Sequence, residues 1–293
     1  MAKSLAGAAA DTARWATNVT NEHGLVLTCV LTATEGDGLV DMGSGLVARY
    51  SDAAVPPPRV LYVDRDCCGA TRTSPAPAFR TFPGWEEMAV RLDAWHFMRR
   101  LAAGVTTDAH ALYGLLMSRL SAAIFEADPE DLQALVRAKR QELSATGHIN
   151  LTDEAVHRTI TKAEFQRHCR RQTRGVETTT RAIEELLRLL SGPAGVDSMG
   201  LPLLDQSRIW AIWEQQKRHV ACLQDVPGVP LHRVTGTLIK GGVQLSCFRT
   251  ARGTTSTESF HSHLVKFIPG NYNGLMQTLS RISAELSPAI ATI

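Results

Sequence analysis

The sequence predicts an α/β protein, and three observations carry that prediction. A hairpin pattern of two β-rich runs around a polar turn occupies residues 13–34. Two short and almost wholly apolar runs, 59–64 and 88–93, are typical of strands buried on both faces of a sheet. From about residue 94 to 225 the apolar residues recur instead at helical spacing. We therefore expect a sheet-containing N-terminal part followed by a long helical region.

The composition is that of an ordinary globular protein. The chain has 293 residues, of which 44% are hydrophobic and 20% charged, and its net charge is +2. These values exclude a collagen, a disordered tail protein and a disulfide-rich mini-protein. The six cysteines are dispersed and lack the paired spacing of a zinc site, so we expect reduced thiols in an intracellular protein. We find no targeting signal and no apolar run of about 20 residues, which predicts a chain that does not enter the membrane.

Each element of the N-terminal part has a sequence signature. The hairpin arms are 13–19 and 25–34, and Gly24 in the turn between them tolerates the positive φ that such a turn requires. Residues 38–52 form a predicted helix, although two glycines weaken it. Its apolar face consists of Leu39, Met42, Leu46, Val47 and Tyr50.

Start and stop signals divide the region after residue 94 into helices. Asp128 and Pro129 are a clear start, because Asp accepts hydrogen bonds from the first helical N–H groups and Pro fits the first helical position. Gly241 and Gly242 form a bend before a short strand at 243–250. The other predicted helices cover about 94–104, 107–127, 152–172, 175–191, 206–224, 255–267 and 273–286.

Four acids form the candidate chemical centre, Asp64, Asp66, Asp93 and Glu258, and His96 lies nearby in the sequence. Asp64 and Asp93 end the two short apolar strands, and ligands usually bind at the carboxyl ends of strands in an open α/β sheet. Carboxylate oxygens suit Mg²⁺, and two such ions about 3.5–4 Å apart can activate water and stabilise the leaving oxygen of a phosphodiester. The alternative is that these acids only end strands at the surface or cap helix starts.

Six segments of the chain carry a family resemblance. They are WATNVTNEHGLVLTCVLTATEG, VLYVDRDCC, VRLDAWHFMRRLAAGVTTDAHALYG, FEADPED, CRRQTRGVETTTRAIEELL and RGTTSTESFHSHLVKFIPG, and together they extend from about residue 14 to 270. In order and spacing they resemble the DDE transposases with a ribonuclease H-like fold, in particular the transposase-like proteins of fish genomes. The resemblance implies a ribonuclease H-like mixed-sheet core with a large all-α insertion. The core would comprise residues 1–103 and 236–293, and the insertion residues 104–235.

The resemblance also assigns site residues. In DDE enzymes the second catalytic acid ends the fourth strand, which matches Asp64, and the third lies on a late helix, which matches Glu258. Asp93 and His96 resemble an acid and a histidine that follow the fifth strand and face the site. Asp66 either replaces or assists Asp64. The implied cofactor is Mg²⁺, with Mn²⁺ as a substitute, held by Asp64, Asp66, Asp93 and Glu258.

One part of the family pattern is missing. The first DDE acid belongs to a strand before the hairpin, but residues 1–13 read MAKSLAGAAADTA, and Asp11 lies in an Ala/Gly-rich stretch without strand character. We therefore expect the N-terminal strand and its acid to be absent and the chain to be inactive, because metal positioning fails without them. In a second interpretation Asp66 or Asp93 replaces the missing acid and the chain is an active nuclease.

The segment 158–174 is the most basic part of the chain. It contains one acid, Glu164, and its cations are Arg158, Lys162, Arg167, Arg170, Arg171 and Arg174. On a helix, this density of cations predicts contacts with a phosphate backbone that depend on salt and not on base sequence. The alternative is a solvated helix face.

These expectations describe a transposase-derived nucleic-acid-binding protein, the remnant of a Mg²⁺-dependent DNA nuclease and strand-transfer enzyme. DNA is the expected partner, and the sequence does not decide whether the chain forms a homo-oligomer. The nucleus is the expected location rather than the cytoplasm. The competing hypothesis is a non-catalytic helical interaction or scaffold protein whose carboxylates are ordinary surface acids.

Overall fold

The protein is described by a computed structural model that covers residues 2–4, 15–34, 36, 38–69, 76–148 and 150–267. Within it the chain divides into two compact units. The first unit comprises Met1–Asp93 and Gly253–Ile293, and the second comprises Ala94–Arg252. The second unit therefore interrupts the sequence of the first, with boundaries at 93/94 and 252/253. The division at 103/104 and 235/236 that the resemblance implies stays a prediction.

The fold is mixed α/β, with small sheets. The strands are β1 (Ala2–Ser4), β2 (Trp15–Thr20), β3 (Val26–Thr32), β4 (Val60–Val63), β5 (Ala89–Leu92), β6 (Phe125–Ala127), β7 (Arg171–Thr173), β8 (His232–Lys240) and β9 (Val243–Thr250). The α-helices are α1 (Leu39–Asp52), α2 (Ala78–Thr81), α3 (Ala94–Ala102), α4 (Tyr113–Ile124), α5 (Pro129–Ala145), α6 (Asp153–Thr159), α7 (Lys162–His168), α8 (Val176–Leu190), α9 (Gln206–Gln216) and α10 (Thr255–Phe267). Two 3₁₀ helices cover Pro193–Gly195 and Lys217–Leu223.

The predicted N-terminal hairpin is confirmed. Strands β2 and β3 pair antiparallel, and the turn between them contains Gly24 at φ 83°. The Asn21 side chain accepts hydrogen bonds from the backbone N–H groups of His23 and Leu25, which closes the turn. The hairpin thus has the turn chemistry that its sequence indicates.

A third strand, β1, extends this sheet in the order β1-β2-β3, and the expectation that no strand precedes the hairpin was wrong. Ala2 pairs with Thr17, and Ser4 pairs with Trp15. Ala, Lys and Ser have little intrinsic preference for strands, so pairing with β2 and not local propensity defines β1. None of the three residues of β1 is an acid. Asp11 lies outside the described residues.

The predicted face of α1 forms the core of the first unit. Leu46 is buried with Phe82, Trp85 and Met88, and three other residues of that face pack around them, namely Met42, Val47 and Tyr50. A Cβ atom at Gly43 would lie 1.6 Å from the carbonyl oxygen of Thr81, so α1 approaches α2 more closely than any other residue type allows. The glycine that weakens the helix signal in the sequence is therefore required for this packing.

Strands β4 and β5 form a two-stranded parallel sheet, and the predicted adjacency of the two acid-terminated strands is confirmed. Their register pairs Val60 with Ala89 and Val63 with Leu92. Both strands therefore end at the same edge.

Helices α3, α4, α8 and α9 provide the main core of the second unit, whose fully buried side chains include Leu101, Leu120, Ile183, Leu187 and Trp213. The start of α5 is as predicted: the Asp128 carboxylate accepts hydrogen bonds from the N–H groups of Glu130 and Asp131. The helices predicted at 175–191 and 255–267 are also confirmed. The helix predicted at 206–224 continues as a 3₁₀ helix after Gln216.

Three expectations for this part of the chain were wrong. The helix predicted at 152–172 is broken into α6 and α7, because Thr161 adopts an extended backbone and forms a capping box with Glu164 at the start of α7. The predicted insertion is also not all-α, since β6 and β7 form an antiparallel pair. The strand predicted at 243–250 is confirmed as β9, which pairs antiparallel with β8. The helix predicted at 107–127 begins only at Tyr113 and ends at Ile124, because residues 125–127 form β6. The helix predicted at 273–286 lies outside the described residues.

None of the described helices is both long enough and apolar enough to cross a membrane.

Candidate functional site

The acids that end β4 and β5 are neighbours. Asp64 follows Val63, Asp93 follows Leu92, and these two preceding residues are partners in the parallel register. The backbone N–H of Asp93 donates to the carbonyl of Val63 at 2.8 Å. Adjacent strands lie about 4.8 Å apart, so the two acids share one short edge of the sheet. We refer to Asp64, Asp93 and the first turn of α10 as the carboxylate edge.

Asp93 has a structural partner at this edge. Its side chain is 5% exposed, and its Oδ2 accepts a hydrogen bond from the backbone N–H of Thr254 at 3.1 Å. A Cβ atom at Gly253 would lie 2.6 Å from the same oxygen. Asp93 therefore satisfies a backbone N–H at the start of α10, which is 161 residues away in the sequence.

The same contact brings Glu258 to the carboxylate edge. Glu258 lies in the first turn of α10 and is half-buried, and its backbone N–H donates to the carbonyl of Thr254 at 3.0 Å. The helix is also tied to the hairpin, because the hydroxyls of Thr257 and Thr20 lie 2.7 Å apart. Leu264 packs against Ala16 in a small buried cluster. The late helix is thus positioned by contacts with β2 and with the end of β5.

A metal centre of four carboxylates stays a prediction. Among the described residues, no three of these acids place an oxygen each within 4.8 Å of one another. Asp66 is exposed and has a left-handed backbone at φ 54°. Its Oδ2 lies 3.6 Å from Nε of Arg65. Mg²⁺ in proteins is often held by one or two carboxylates together with water and substrate phosphates. Binding by Asp64 and Glu258 fits that smaller requirement and stays a prediction.

His96 lies on α3, in the second unit. It is half-buried, and its ring meets that of Trp95 edge-on, with the centroids 4.9 Å apart. A catalytic or metal-binding role for His96 stays a prediction.

The six predicted phosphate contacts do not share one helix. Arg158 lies on α6, and Lys162 and Arg167 lie on α7. All three are exposed, and Arg158 forms a surface ion pair with Glu154 in which both side chains are 76% exposed. Lys162 and Arg167 therefore provide exposed positive charge on α7.

The remaining three arginines surround β7 and make internal contacts. Arg170 donates from Nε to Asp131 at 2.7 Å and from Nη2 to the other oxygen at 3.1 Å, and its backbone N–H binds Asp131 at 2.9 Å. Arg174 donates to the carbonyls of Ala122 and Phe125 at 2.9 and 3.2 Å. These two side chains hold α4, α5 and β7 together.

Arg171 belongs to a cluster that the sequence did not predict. Its guanidinium carbon and that of Arg252 both lie 5.0 Å from the centroid of the Phe125 ring. Asp225 accepts hydrogen bonds from Nε and Nη2 of Arg252 at 2.9 and 2.7 Å, and also from the N–H of Thr173 at 3.0 Å. No signal in the sequence points to this cluster, because its charged members Arg171, Asp225 and Arg252 are separated by 27 to 81 residues.

No carboxylate within the described parts of the chain forms an ion pair with Arg171. Its side chain makes only a long contact with the Ser121 hydroxyl, at 3.5 Å, and a cation–π contact with Phe125. Burial lowers the pKa of the Arg171 guanidinium, and the neighbouring charge of Arg252 lowers it further. The cluster therefore contains two guanidiniums and one carboxylate.

Comparisons with known proteins identify no relative. No family model matches the chain, and no curated protein and no solved structure matches it either. The resemblance to DDE transposases thus rests on the sequence segments given above.

Proposed function

We propose that this chain is a nucleic-acid-binding protein derived from a DDE transposase, with a ribonuclease H-like first unit. One observation carries the proposal: Asp64 and Asp93 follow paired ends of parallel strands, and the first turn of α10, with Glu258, returns to that edge through Thr254. This is the placement that the resemblance implies for the second and third acids of a DDE enzyme.

The order of elements in the first unit supports the same proposal. Three antiparallel strands are followed by a helix, a strand, a short helix and a second parallel strand. A long insertion then separates these elements from the late helix that contains Glu258. The resemblance implies a hairpin, then a fourth strand that ends in an acid, and then a variable insertion before the last acid.

In the proposed function the protein binds DNA in the nucleus without cleaving it. Asp93 is occupied as an acceptor for the start of α10, and the described acids do not converge into a group of three. A bound Mg²⁺ would supply Lewis-acid stabilisation of phosphate oxygens when present. We expect Asp64 and Glu258 to contribute oxygen ligands, and we expect no Mg²⁺-dependent nicking of DNA.

Salt-dependent DNA binding tests the proposal. We expect fluorescence anisotropy with a labelled duplex to show affinity that falls about 40-fold between 50 and 200 mM salt if three phosphates are contacted. Lys162→Gln combined with Arg167→Gln should weaken binding and flatten this dependence. The charge-matched control is Arg119→Gln combined with Arg137→Gln, which removes two exposed arginines from α4 and α5. No binding at 50 mM salt, or an equal effect of both double variants, would overturn the proposed interface.

A second candidate function is a non-catalytic interaction protein. It is favoured by two charged side chains that bind groups of the protein, whereas in a transposase they would contact the substrate. Asp93 accepts a hydrogen bond from the backbone N–H of Thr254, and Arg170 donates to Asp131. The same titration separates the two candidates, because a scaffold has no reason to bind DNA in a salt-dependent manner.

A further inference from the structure

The second unit contains a cleft of about 480 Å³ that the proposed function does not use. Its polar residues include Arg171, Asp225, His232 and Arg252, and its apolar residues include Val176 and Val229. Small-molecule sites in proteins have volumes of roughly 300–1,000 Å³ and combine apolar walls with a few polar groups. The size and the lining of the cleft are therefore those of a site for a small ligand or for one unit of a polymer.

The charge of the cleft is unbalanced. Arg252 is 9% exposed and is neutralised by Asp225, with which it forms two hydrogen bonds. Asp225 also accepts the N–H of Thr173, so its oxygens are already engaged. Arg171 has no such carboxylate within the described residues, which leaves one positive charge at the cleft. An uncompensated half-buried cation is costly, and an anionic ligand would remove that cost.

His232 adds hydrogen-bonding capacity without adding charge. Burial, together with the charge of Arg252, lowers the pKa of His232 to about 4, so the imidazole is neutral at pH 7. Its Nε2 faces the backbone N–H of Arg171 at 3.5 Å. With Nε2 as the acceptor, Nδ1 carries the proton and is a donor.

We propose that this cleft binds a phosphate ester through Arg171. A phosphate group has several acceptor oxygens and up to two negative charges, and a guanidinium fork matches its geometry. The neutral imidazole of His232 lies beside Arg171 and offers a hydrogen bond to a phosphate oxygen, while the guanidinium of Arg252 is held by Asp225 and by the carbonyl of Arg171. The apolar side around Val176 and Val229 suits an uncharged part of the ligand, such as a base or a sugar. The inference stands apart from the proposed DNA interface, which uses Lys162 and Arg167 on α7.

Binding of AMP to the whole chain tests this site. We expect ³¹P NMR line broadening and calorimetry to show binding of AMP by the wild type, weakened at least tenfold in Arg171→Met. Methionine keeps an unbranched apolar stem against Phe125 while it removes the charge. Arg171→Lys should bind with intermediate affinity, because it keeps the charge but loses the planar fork. The matched control is Arg181→Met, which removes an exposed arginine from α8 and should leave AMP binding unchanged.

A second variant keeps the test decisive if Arg171→Met does not fold. Val229→Glu places a carboxylate at the cleft and leaves Phe125 and its two arginines untouched. We expect it to weaken AMP binding at least tenfold by repulsion, with an unchanged thermal unfolding midpoint. No binding of AMP, inorganic phosphate or oligonucleotide by the folded wild type would overturn the proposal.

The source of the phosphate is distinguished by the choice of probe. Binding of inorganic phosphate and AMP, both sensitive to Arg171→Met, would support a terminal phosphate as the ligand. Binding of only a (dT)₆ oligonucleotide without terminal phosphate, with the same sensitivity, would support a backbone phosphodiester. Equal binding by wild type and Arg171→Met would overturn the proposal. Tighter and Arg171-dependent binding of a hexaglutamate peptide would also overturn it, in favour of a carboxylate ligand.

Discussion

The acids of the first unit and the arginines of the second unit were both predicted to bind a ligand, but the two sets differ in how closely their positions in the structure follow the prediction. In the first unit the strand-end acids lie where their sequence positions indicate, side by side at the end of a parallel pair. In the second unit the basic segment is divided between α6, α7 and β7, and Arg170 and Arg174, although partly exposed, are engaged by acceptors of the protein.

The two predictions differ because they rest on different kinds of information in the sequence. The position of an acid at the end of a buried strand depends on the local apolar pattern, and that pattern is visible in the sequence. The availability of an arginine depends on whether an acceptor from a distant segment lies next to it. Asp131 is separated from Arg170 by 39 residues, and Asp225 from Arg252 by 27. Density of charge along the chain is therefore a weaker guide to a binding surface than the position of an acid on a strand.

The largest effect is expected at Asp131. Asp131→Ala removes the acceptor of the Arg170 backbone N–H and the carboxylate that binds its guanidinium at two oxygens, so that Asp128, at 3.2 Å, is its remaining carboxylate partner; the Asp131 side chain is only 13% exposed. We expect a loss of about 3 kcal/mol in the free energy of unfolding, measured by urea denaturation. The control is Glu154→Ala at the exposed pair with Arg158, which should cost no more than about 0.5 kcal/mol. Equal losses in the two variants would contradict the internal role of Arg170.

The next effect separates the two acids of the carboxylate edge. Asp93→Ala leaves the buried N–H of Thr254 without its acceptor, so we expect the free energy of unfolding to fall by about 2 kcal/mol. Asp64 is half-buried, and Asp64→Ala should cost less than about 1 kcal/mol. Hydrogen exchange should show that α10 opens more often only in the Asp93 variant. Faster exchange in the Asp64 variant would mean that the edge depends on both acids.

A third prediction concerns metal binding at the same edge. We expect Asp64→Asn combined with Glu258→Gln to weaken Mn²⁺ binding, followed by paramagnetic relaxation of water, at least tenfold relative to the wild type. Carboxylates are the preferred ligands of such hard cations, and the amides that replace them carry no charge. Asp66→Asn is the control and should leave binding unchanged, because Asp66 is exposed and lies beside Arg65. Identical Mn²⁺ affinity in the wild type and the double variant would show that the carboxylate edge holds no ion.

The smallest effect is a pH dependence in the second unit. Burial works to raise the pKa of Glu164, but hydrogen bonds from Lys240, from the backbone of Thr161 and from Lys139 outweigh it and hold this pKa well below its usual range. A depressed pKa in the folded state means that the contribution to stability is fully present above the unfolded value, about 4.3, and is lost progressively as the pH falls from that value through the lower pKa of the folded state.

We therefore expect Glu164→Gln, at a side chain that is 16% exposed, to destabilise the protein by about 1 kcal/mol at pH 7 and by less at pH 3, where the contribution of the carboxylate is partly lost. Urea denaturation at both pH values measures the difference. Glu177→Gln on α8, at an exposed position, is the control and should show little effect at either pH. A loss for Glu164→Gln that stays constant between pH 7 and pH 3 would show that the ion pairs do not cause the effect.

Much of the first unit was predictable. Turn chemistry at Asn21 and Gly24, the apolar face of α1 and the two acid-terminated strands are local patterns, and the structure contains each of them. The strand β1 was missed, because its residues have little strand preference and pair only when β2 is present. In the second unit the start of α5 at Asp128 was predicted correctly, whereas the break at Thr161 within the expected long helix was not.

The candidate sites divide in the same way. Strand ends and the resemblance predicted Asp64, Asp93 and Glu258. The hydrogen bond from the backbone N–H of Thr254 to Asp93 could not be predicted, because the two residues are 161 positions apart. The cluster of Arg171, Asp225 and Arg252 had no sequence signal at all, since β7, the segment around Asp225 and the end of β9 meet only in the folded unit.

The sequence by itself determined the α/β class, the positions of most helices and strands, and which acids stand at strand ends, because each depends on apolar periodicity and capping within a few residues. The tertiary structure alone decided which charges remain available. Asp93 and Arg170 are held by protein partners, whereas Arg171 is left without a carboxylate among the described residues. The physical reason is that a buried charge needs a partner, and the partner is supplied by whichever distant segment the fold places beside it.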